Sequence, residues 1–300
     1  MANVRYEGEL TVKETLGDKI FSNINVVLLA LLGIASVFPF YYVVVVSFTS
    51  PSDYIGGSLM LFPKSFSLAA YEYIFSTQTF VKSLGVSTYL AIVGTLLSLI
   101  VSAAFGYMIS RKRLFGRRVL TVALIITILF SPGIIPNYLL IKDLGLMNSL
   151  WSIILPGLLS GWNALLLKTF FDGIPESLEE SAVIDGANDL HIFFRIILPL
   201  SLPALAAFGL FFAVAYWNTF FNAILYLTDP DKRPLQVLLQ GMLVQSETGI
   251  AEAGVAAEQQ VPPETIKMAA VVIATVPILL VYPFLQKHFA KGVMLGSVKG

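Results

Sequence analysis

Hydrophobic positions in this chain come as long unbroken runs. Stretches free of Asp, Glu, Lys and Arg cover Ile20–Ser52, Ser83–Ser110, Val119–Ile141, Leu144–Leu167, Ile196–Thr228 and Met268–Gln286. A helix crossing a bilayer needs roughly 20 residues of this kind, because each charge at the membrane centre costs several kcal/mol. The next run, Pro234–Ser246, is shorter and is interrupted by Gln236, Gln240 and Gln245. Apolar residues follow one another continuously, as in Val119–Ile128, without the alternation of a barrel strand. The pattern predicts an all-α polytopic membrane protein with six transmembrane helices. Pro39, Pro132, Pro136, Pro156, Pro277 and Pro283 fall inside the runs, where neighbouring helices can re-satisfy the backbone.

Composition agrees. Charged residues make up 13% of the chain, about half the usual share in soluble domains, and the mean hydropathy is +0.80. The net charge of zero gives no reason to expect a nucleic-acid partner. With no cysteine, disulfides and thiolate chemistry are excluded. Residues 1–19 are polar, and the following run is too long for the apolar region of a cleaved signal and lacks an A-x-A site. It reads as an uncleaved first span.

Basic residues fix the expected direction. With the N-terminus inside, the cytoplasmic segments 1–19, 111–118, 168–195 and 287–300 hold 13 of the 19 Lys and Arg residues. The cluster Arg111-Lys112-Arg113-x-x-x-Arg117-Arg118 is the strongest anchor. It reads as a topology stop, with an anionic-lipid or partner site as the alternative. The organisation expected is a tail (1–19), a first span with an external segment (20–79), a five-helix core (80–287) containing a cytoplasmic loop (171–203), and a tail (288–300). A multi-pass protein of the cell membrane with both termini cytoplasmic follows.

In the second run, Gly94, Ser98, Ser102, Gly106 and Ser110 recur every fourth residue and form one narrow helical face. Gly157 and Gly161 repeat the spacing in the fourth. Such a stripe serves either a closely packed gate helix or ordinary tight packing.

The loop between the fourth and fifth runs reads as more than a tether. Pro175 suits a first helical turn, and Glu176, Glu179 and Glu180 follow where the helix dipole favours negative charge. Leu178, Ala182 and Val183 supply an apolar stripe, Asp185-Gly186 a stop, and Leu190–Leu198 a second amphipathic piece ending at Pro199. So short a helix needs outside support, which leaves a docking element and an interfacial helix on lipid headgroups both open.

These residues resemble the EAA motif of ABC importer permeases. Glu180-Ser181-Ala182 stands for the name-giving triplet, Gly186 for the glycine of Asp185-Gly186-Ala187, and Ile197-Leu198-Pro199 closes the motif. Ser181 departs from the commonest residue while keeping a small side chain. Trp217-Asn218-Thr219-Phe220, Met268-Ala269-Ala270 with Pro277, and the tail Lys291–Gly300 resemble the carbohydrate-uptake branch, which includes the G-type maltose permeases and the permeases for complex oligosaccharides.

The resemblance implies a type I importer permease fold and a homologous second permease subunit. It also implies two ATPase subunits below and an extracytoplasmic solute-binding protein above, meeting segments 53–79 and 229–267. Glu179, Glu180, Ser181, Ala182, Asp185, Gly186, Ala187 and Pro199 would couple to the ATPase, and the tail from Gly296 to Gly300 would reach the same interface. The cargo implied is a carbohydrate, with a non-sugar solute the alternative.

The chain has no G-x-x-x-x-G-K-[ST] loop, no H-E-x-x-H and no G-x-S-x-G. It is therefore not expected to be an enzyme or to bind a cofactor, and ATP and Mg belong to the partner ATPase. None of the runs contains the buried charge usual in ion-coupled carriers, which disfavours a secondary transporter. Sugars ask for aromatic faces and amides, so Tyr216, Trp217, Asn218, Phe221 and Asn222 are candidates for the path, with Asn137, Trp162 and Asn163 behind them. Interfacial belts and helix packing would employ the same residues.

Overall fold

The computed structural model describes residues 16–54, 59–247 and 261–296, and the side chains of all of these except 245–247, 282 and 284–296. The tails 1–15 and 297–300, the latter with its expected ATPase contact, lie outside the described residues. So do 55–58 and 248–260 of the two external segments expected to meet the binding protein.

Three helices are long and apolar enough to cross a membrane unaided: Leu16–Ser47, Gln78–Ser110 and Pro263–Val281. Three bent helix pairs, Arg117–Leu129 with Ile134–Asp143, Trp151–Gly157 with Gly161–Asp172 and Asp189–Leu200 with Leu202–Trp217, bring the number of candidate spans to as many as six. The first helix, α1 (Leu16–Ser47), buries only Val45, Val46 and Ser47, and its neighbour is the last helix of the chain. A short α2 (Ala69–Ser76) follows, where Tyr71 stacks on Phe48 at 4.9 Å and bonds Ser47 across 2.8 Å.

The second span comprises α3 (Gln78–Tyr89), one widened turn (Leu90–Gly94) and α4 (Thr95–Ser110). The third run, expected to be one helix over 119–141, breaks instead into α5 (Arg117–Leu129) and α6 (Ile134–Asp143), bent by 116°. Pro132 pushes its predecessor toward extended backbone, and Gly133 adopts φ +86, a region open to glycine.

The fourth span is α7 (Trp151–Gly157) and α8 (Gly161–Asp172), bent by 42° after Pro156. It starts later than the apolar run because residues 146–150 form a turn around Asn148, the only described non-glycine residue with positive φ (58°).

After α8 come α9 (Glu176–Ile184) and a second helical piece made of α10 (Asp189–Ile192), a widened turn (Phe193–Ile197) and α11 (Leu198–Leu200). Pro175 sits one position before α9 rather than within its first turn. Pro199 does not end the second piece. The widened turn before it leaves room for a ring that would clash with the carbonyl four residues back. The chain turns by 83° at Ser201 instead, where α12 (Leu202–Trp217) begins.

The fifth span then continues as α13 (Phe221–Tyr226). An amphipathic α14 (Leu235–Glu247) precedes the last helix, α15 (Pro263–Gly296).

The small-residue stripe of α4 is a packing face. Ser98 and Ser102 are fully buried, and a Cβ on Gly106 would stand 3.1 Å from Leu167 of α8. Two apolar cores result. One joins α4, α7, α8, the cytoplasmic helices and α12 through Leu167, Phe171, Ile197, Phe208 and Tyr216. The other joins α2, α3, α14 and α15 around Ile74, Phe80, Leu235 and Trp217. The consecutive residues Tyr216 and Trp217 therefore anchor in different cores.

Candidate functional site

The end of the bundle where α4 and α8 stop is built around α9. Its C-terminus is a Schellman arrangement: Gly186 N–H donates to Val183 O at 3.0 Å and Ala187 N–H to Ala182 O at 2.9 Å. This needs left-handed backbone at Gly186, which has φ +83 and open space where a side chain would point. Ala182 and Glu179, three apart and so on one face, turn into the protein, while Glu180, Ser181, Val183, Ile184 and Asp185 face outward. Ile184, at 85% exposure, is the most open apolar residue of the helix. Pro199 is exposed and Ala187 half-buried.

Glu179 meets Arg111, which directly follows α4. One Arg111 amino group donates to Glu179 Oε1, the other to Phe171 O at 2.7 Å, and Nε donates to Ser110 Oγ at 2.9 Å. The guanidinium also lies 4.8 Å from the centre of the Tyr107 ring. Both side chains of the pair are 10% exposed. Removing one partner of such a pair strands a buried charge and costs about 3–5 kcal/mol.

The rest of the basic cluster faces the same loop. Lys112 pairs with Glu176 at 2.9 Å, Arg113 with Asp189, and Arg117 with Asp172 at 3.6 Å. The Lys112 hydrogen bond holds the Glu176 carboxyl below the usual carboxylate range, at a site open to solvent where such pairs contribute little. Four of the five basic residues expected to serve as a topology stop thus bind the loop between the fourth and fifth spans. Sequence reasoning missed them, although acids spaced along 172–189 opposite bases along 111–117 were there to be matched.

The second feature is a break in the fifth span. The helical ladder stops at Trp217, residues 218–220 are non-helical, and α13 restarts at Phe221. The motif Trp217-Asn218-Thr219-Phe220 coincides with the break. Irregular backbone at membrane depth is tolerated where it lines a cavity or is held by protein, and broken helices at this depth form binding sites in transporters.

Tyr216 and Trp217 fix the inner side of the break. The Tyr216 hydroxyl lies 2.8 Å from Ser98 Oγ and 3.3 Å from Ile154 O, and Trp217 Nε1 donates to Ala274 O at 3.0 Å. Asn218, Phe221 and Asn222 are exposed. Gln236 of α14 donates to Asn218 Oδ1 at 3.2 Å, so amide groups gather on the open side. Asn137 on α6 and Trp162 at the start of α8 are exposed, and Asn163 is half-buried beside the Ser160 cap.

Leu84, Ala91, Leu210, Val214, Trp217 and Pro277 line an apolar cleft of about 470 Å³ between α3, α12 and α15. It lacks the polar groups a sugar requires. Among the described residues no His, Cys, Asp and Glu gather into a metal site.

Apolar helices that supply up to six membrane spans, one of them broken at residues 218–220, define a multi-pass membrane protein. Residues 102–295 match the family described as the binding-protein-dependent transport system inner membrane component. The chain belongs to this family.

It is 48% identical to the polygalacturonan/rhamnogalacturonan transport system permease protein YtcP of Bacillus subtilis (strain 168), over 94% of this chain and 99% of that one. It is 30% identical to the trehalose/maltose transport system permease protein MalG of Thermococcus litoralis (strain ATCC 51850 / DSM 5473 / JCM 8560 / NS-C), over 90% and 94%. A chain in the crystal structure of a bacterial ABC transporter involved in importing the acidic polysaccharide alginate superposes with a TM-score of 0.87 at 32% identity. The match covers 92% of this chain and 99% of that one. The expected permease fold is thereby established, and the protein is an inner-membrane component rather than an enzyme.

Proposed function

We propose that this chain is one permease subunit of an ATP-driven importer that takes up oligosaccharides, with fragments of acidic polysaccharides the first cargo to test. The observation that carries this reading is the break at residues 218–220, which faces the amides of Asn218, Asn222 and Gln236 and the ring of Phe221 into open space. Amides bond hydroxyls in both directions and an aromatic face covers a sugar ring, so an uncharged lining suits a long polyhydroxylated chain that must slide. The polygalacturonan and rhamnogalacturonan for which YtcP is named, and the alginate of the matched transporter, supply the acidic-polysaccharide class.

Both termini and the loop 171–203 lie in the cytoplasm in this reading. The first span acts as an arm outside the five-helix core. A second permease subunit completes the path, and a binding protein delivers cargo from outside. Two ATPase subunits, which hold ATP and Mg, grip α9 through Glu180, Ser181, Val183, Ile184 and Asp185.

The test is uptake of labelled oligogalacturonide by cells with and without the gene for this chain, with a neutral maltooligosaccharide in parallel. Loss of oligogalacturonide uptake alone supports the reading. Loss of neutral-sugar uptake alone moves the cargo to that class, and unchanged uptake of both refutes an oligosaccharide cargo.

A further inference from the structure

Arg111 and Ser98 lie on one straight element, α4 with the residue that follows it, separated by thirteen positions or about 20 Å of helix. Each is held to a different moving part of the proposed machine. At the cytoplasmic end Arg111 is bound to Glu179 on the docking helix α9 and to the Phe171 carbonyl that ends α8. In the membrane, Ser98 Oγ bonds Tyr216 Oη at 2.8 Å, one residue before Trp217, after which the fifth span breaks.

Both contacts are buried and both use polar groups, so neither can slip without leaving a group unsatisfied. The glycines on the same face, Gly94 against the Tyr216 ring and Gly106 against Leu167, bring α4 close enough for rigid contact along its length.

We propose that α4 is the connecting rod between the docking helix and the transport path. Arg111 and Ser98 are positioning residues at its two ends. Displacement of α9 moves Arg111, α4 carries the motion up the membrane, and Ser98 shifts Tyr216 and with it the break that faces cargo. This rests on the reading of α9 as the ATPase-gripped helix, and it assigns a role to residues that touch neither ATPase nor cargo.

The experiment measures ATP hydrolysed per sugar transported by the complete importer in proteoliposomes, for Arg111→Met, Ser98→Ala and the double variant. Sites this far apart ordinarily act independently, so two unrelated tenfold defects would multiply to about 100-fold. A rod disconnected at either end fails once. Each single change is expected to raise the ratio about 10-fold, and the double variant is expected to raise it no further. Multiplying defects, or single variants with the wild-type ratio, would overturn the proposal.

If Arg111→Met does not assemble because Glu179 is stranded, Arg111→Met with Glu179→Met replaces the pair by apolar side chains and serves as the lower disconnection. Should that variant couple like the wild type, the pair has only a structural role and the proposal falls. A wild-type complex whose ATP hydrolysis does not respond to loaded binding protein would instead refute the reading of α9.

Discussion

Tyr216 fills a notch made by the absence of a side chain at Gly157: a Cβ built there would stand 2.6 Å from the Tyr216 hydroxyl. Gly94 lines the opposite wall, where a Cβ would meet the ring carbons at 2.7 Å. The two glycines thus constrain different parts of one side chain.

Gly157→Ala is therefore expected to destabilise the protein by about 1–3 kcal/mol through overpacking, and Tyr216→Phe to relieve much of that by removing the clashing oxygen. Gly94→Ala should be equally damaging and should not be rescued by Tyr216→Phe. Thermal unfolding of the three single and two double variants in detergent, read as two double-mutant cycles, checks the difference.

Gly186→Val places a β-branched residue at φ +83, a conformation costing roughly 1–2 kcal/mol for an L side chain. The cost falls on the end of α9, far from the membrane core. Membrane insertion should persist while uptake drops at least about tenfold. Immunoblotting of membranes beside an uptake assay separates the two.

Ile184 and Val183 present apolar surface on the outer face of α9, at 85% and 48% exposure. Ile184→Glu should leave thermal stability unchanged and weaken capture of the ATPase subunit by about tenfold or more. Co-purification at graded detergent and salt concentrations reads this, and undiminished capture would place the ATPase elsewhere.

Purified alone, the chain is expected to hydrolyse no ATP above background, with hydrolysis appearing when the ATPase subunits are added. Phosphate release measured on both preparations decides it.

The apolar helices and their order could be read from the sequence because the cost of charge in lipid leaves a long mark on composition. Their shape could not. Val119–Ile141 is apolar throughout, yet a local backbone constraint at Ser131-Pro132-Gly133 turns it by 116°. The stop of α9 was legible through Gly186, since glycine readily takes the positive φ that stop needs.

An acid beside Glu180 carries no sign of which face it takes, so the burial of Glu179 was not legible in the sequence. That depends on Arg111, 68 positions away. Likewise α12 is apolar all round, so nothing in it indicated that Tyr216 would point into one core and Trp217 into the other. Pairings between distant loops, and the rotation of a uniformly apolar helix, are tertiary outcomes without a local signature.

The first helix, anchored by three residues at its outer end beside α15, has a consequence for biosynthesis. Its partner helix α15 is separated from it by 215 residues, Ser47 to Pro263. Before α15 is made, α1 meets its own chain near its C-terminal end, where Tyr41 bonds Leu61 and Ser47 bonds Tyr71, while its long apolar face stays open to lipid. Pairing of α1 with α15 therefore comes late in synthesis, and a product interrupted before Pro263 would carry a span without its partner helix, a ready mark for membrane proteases.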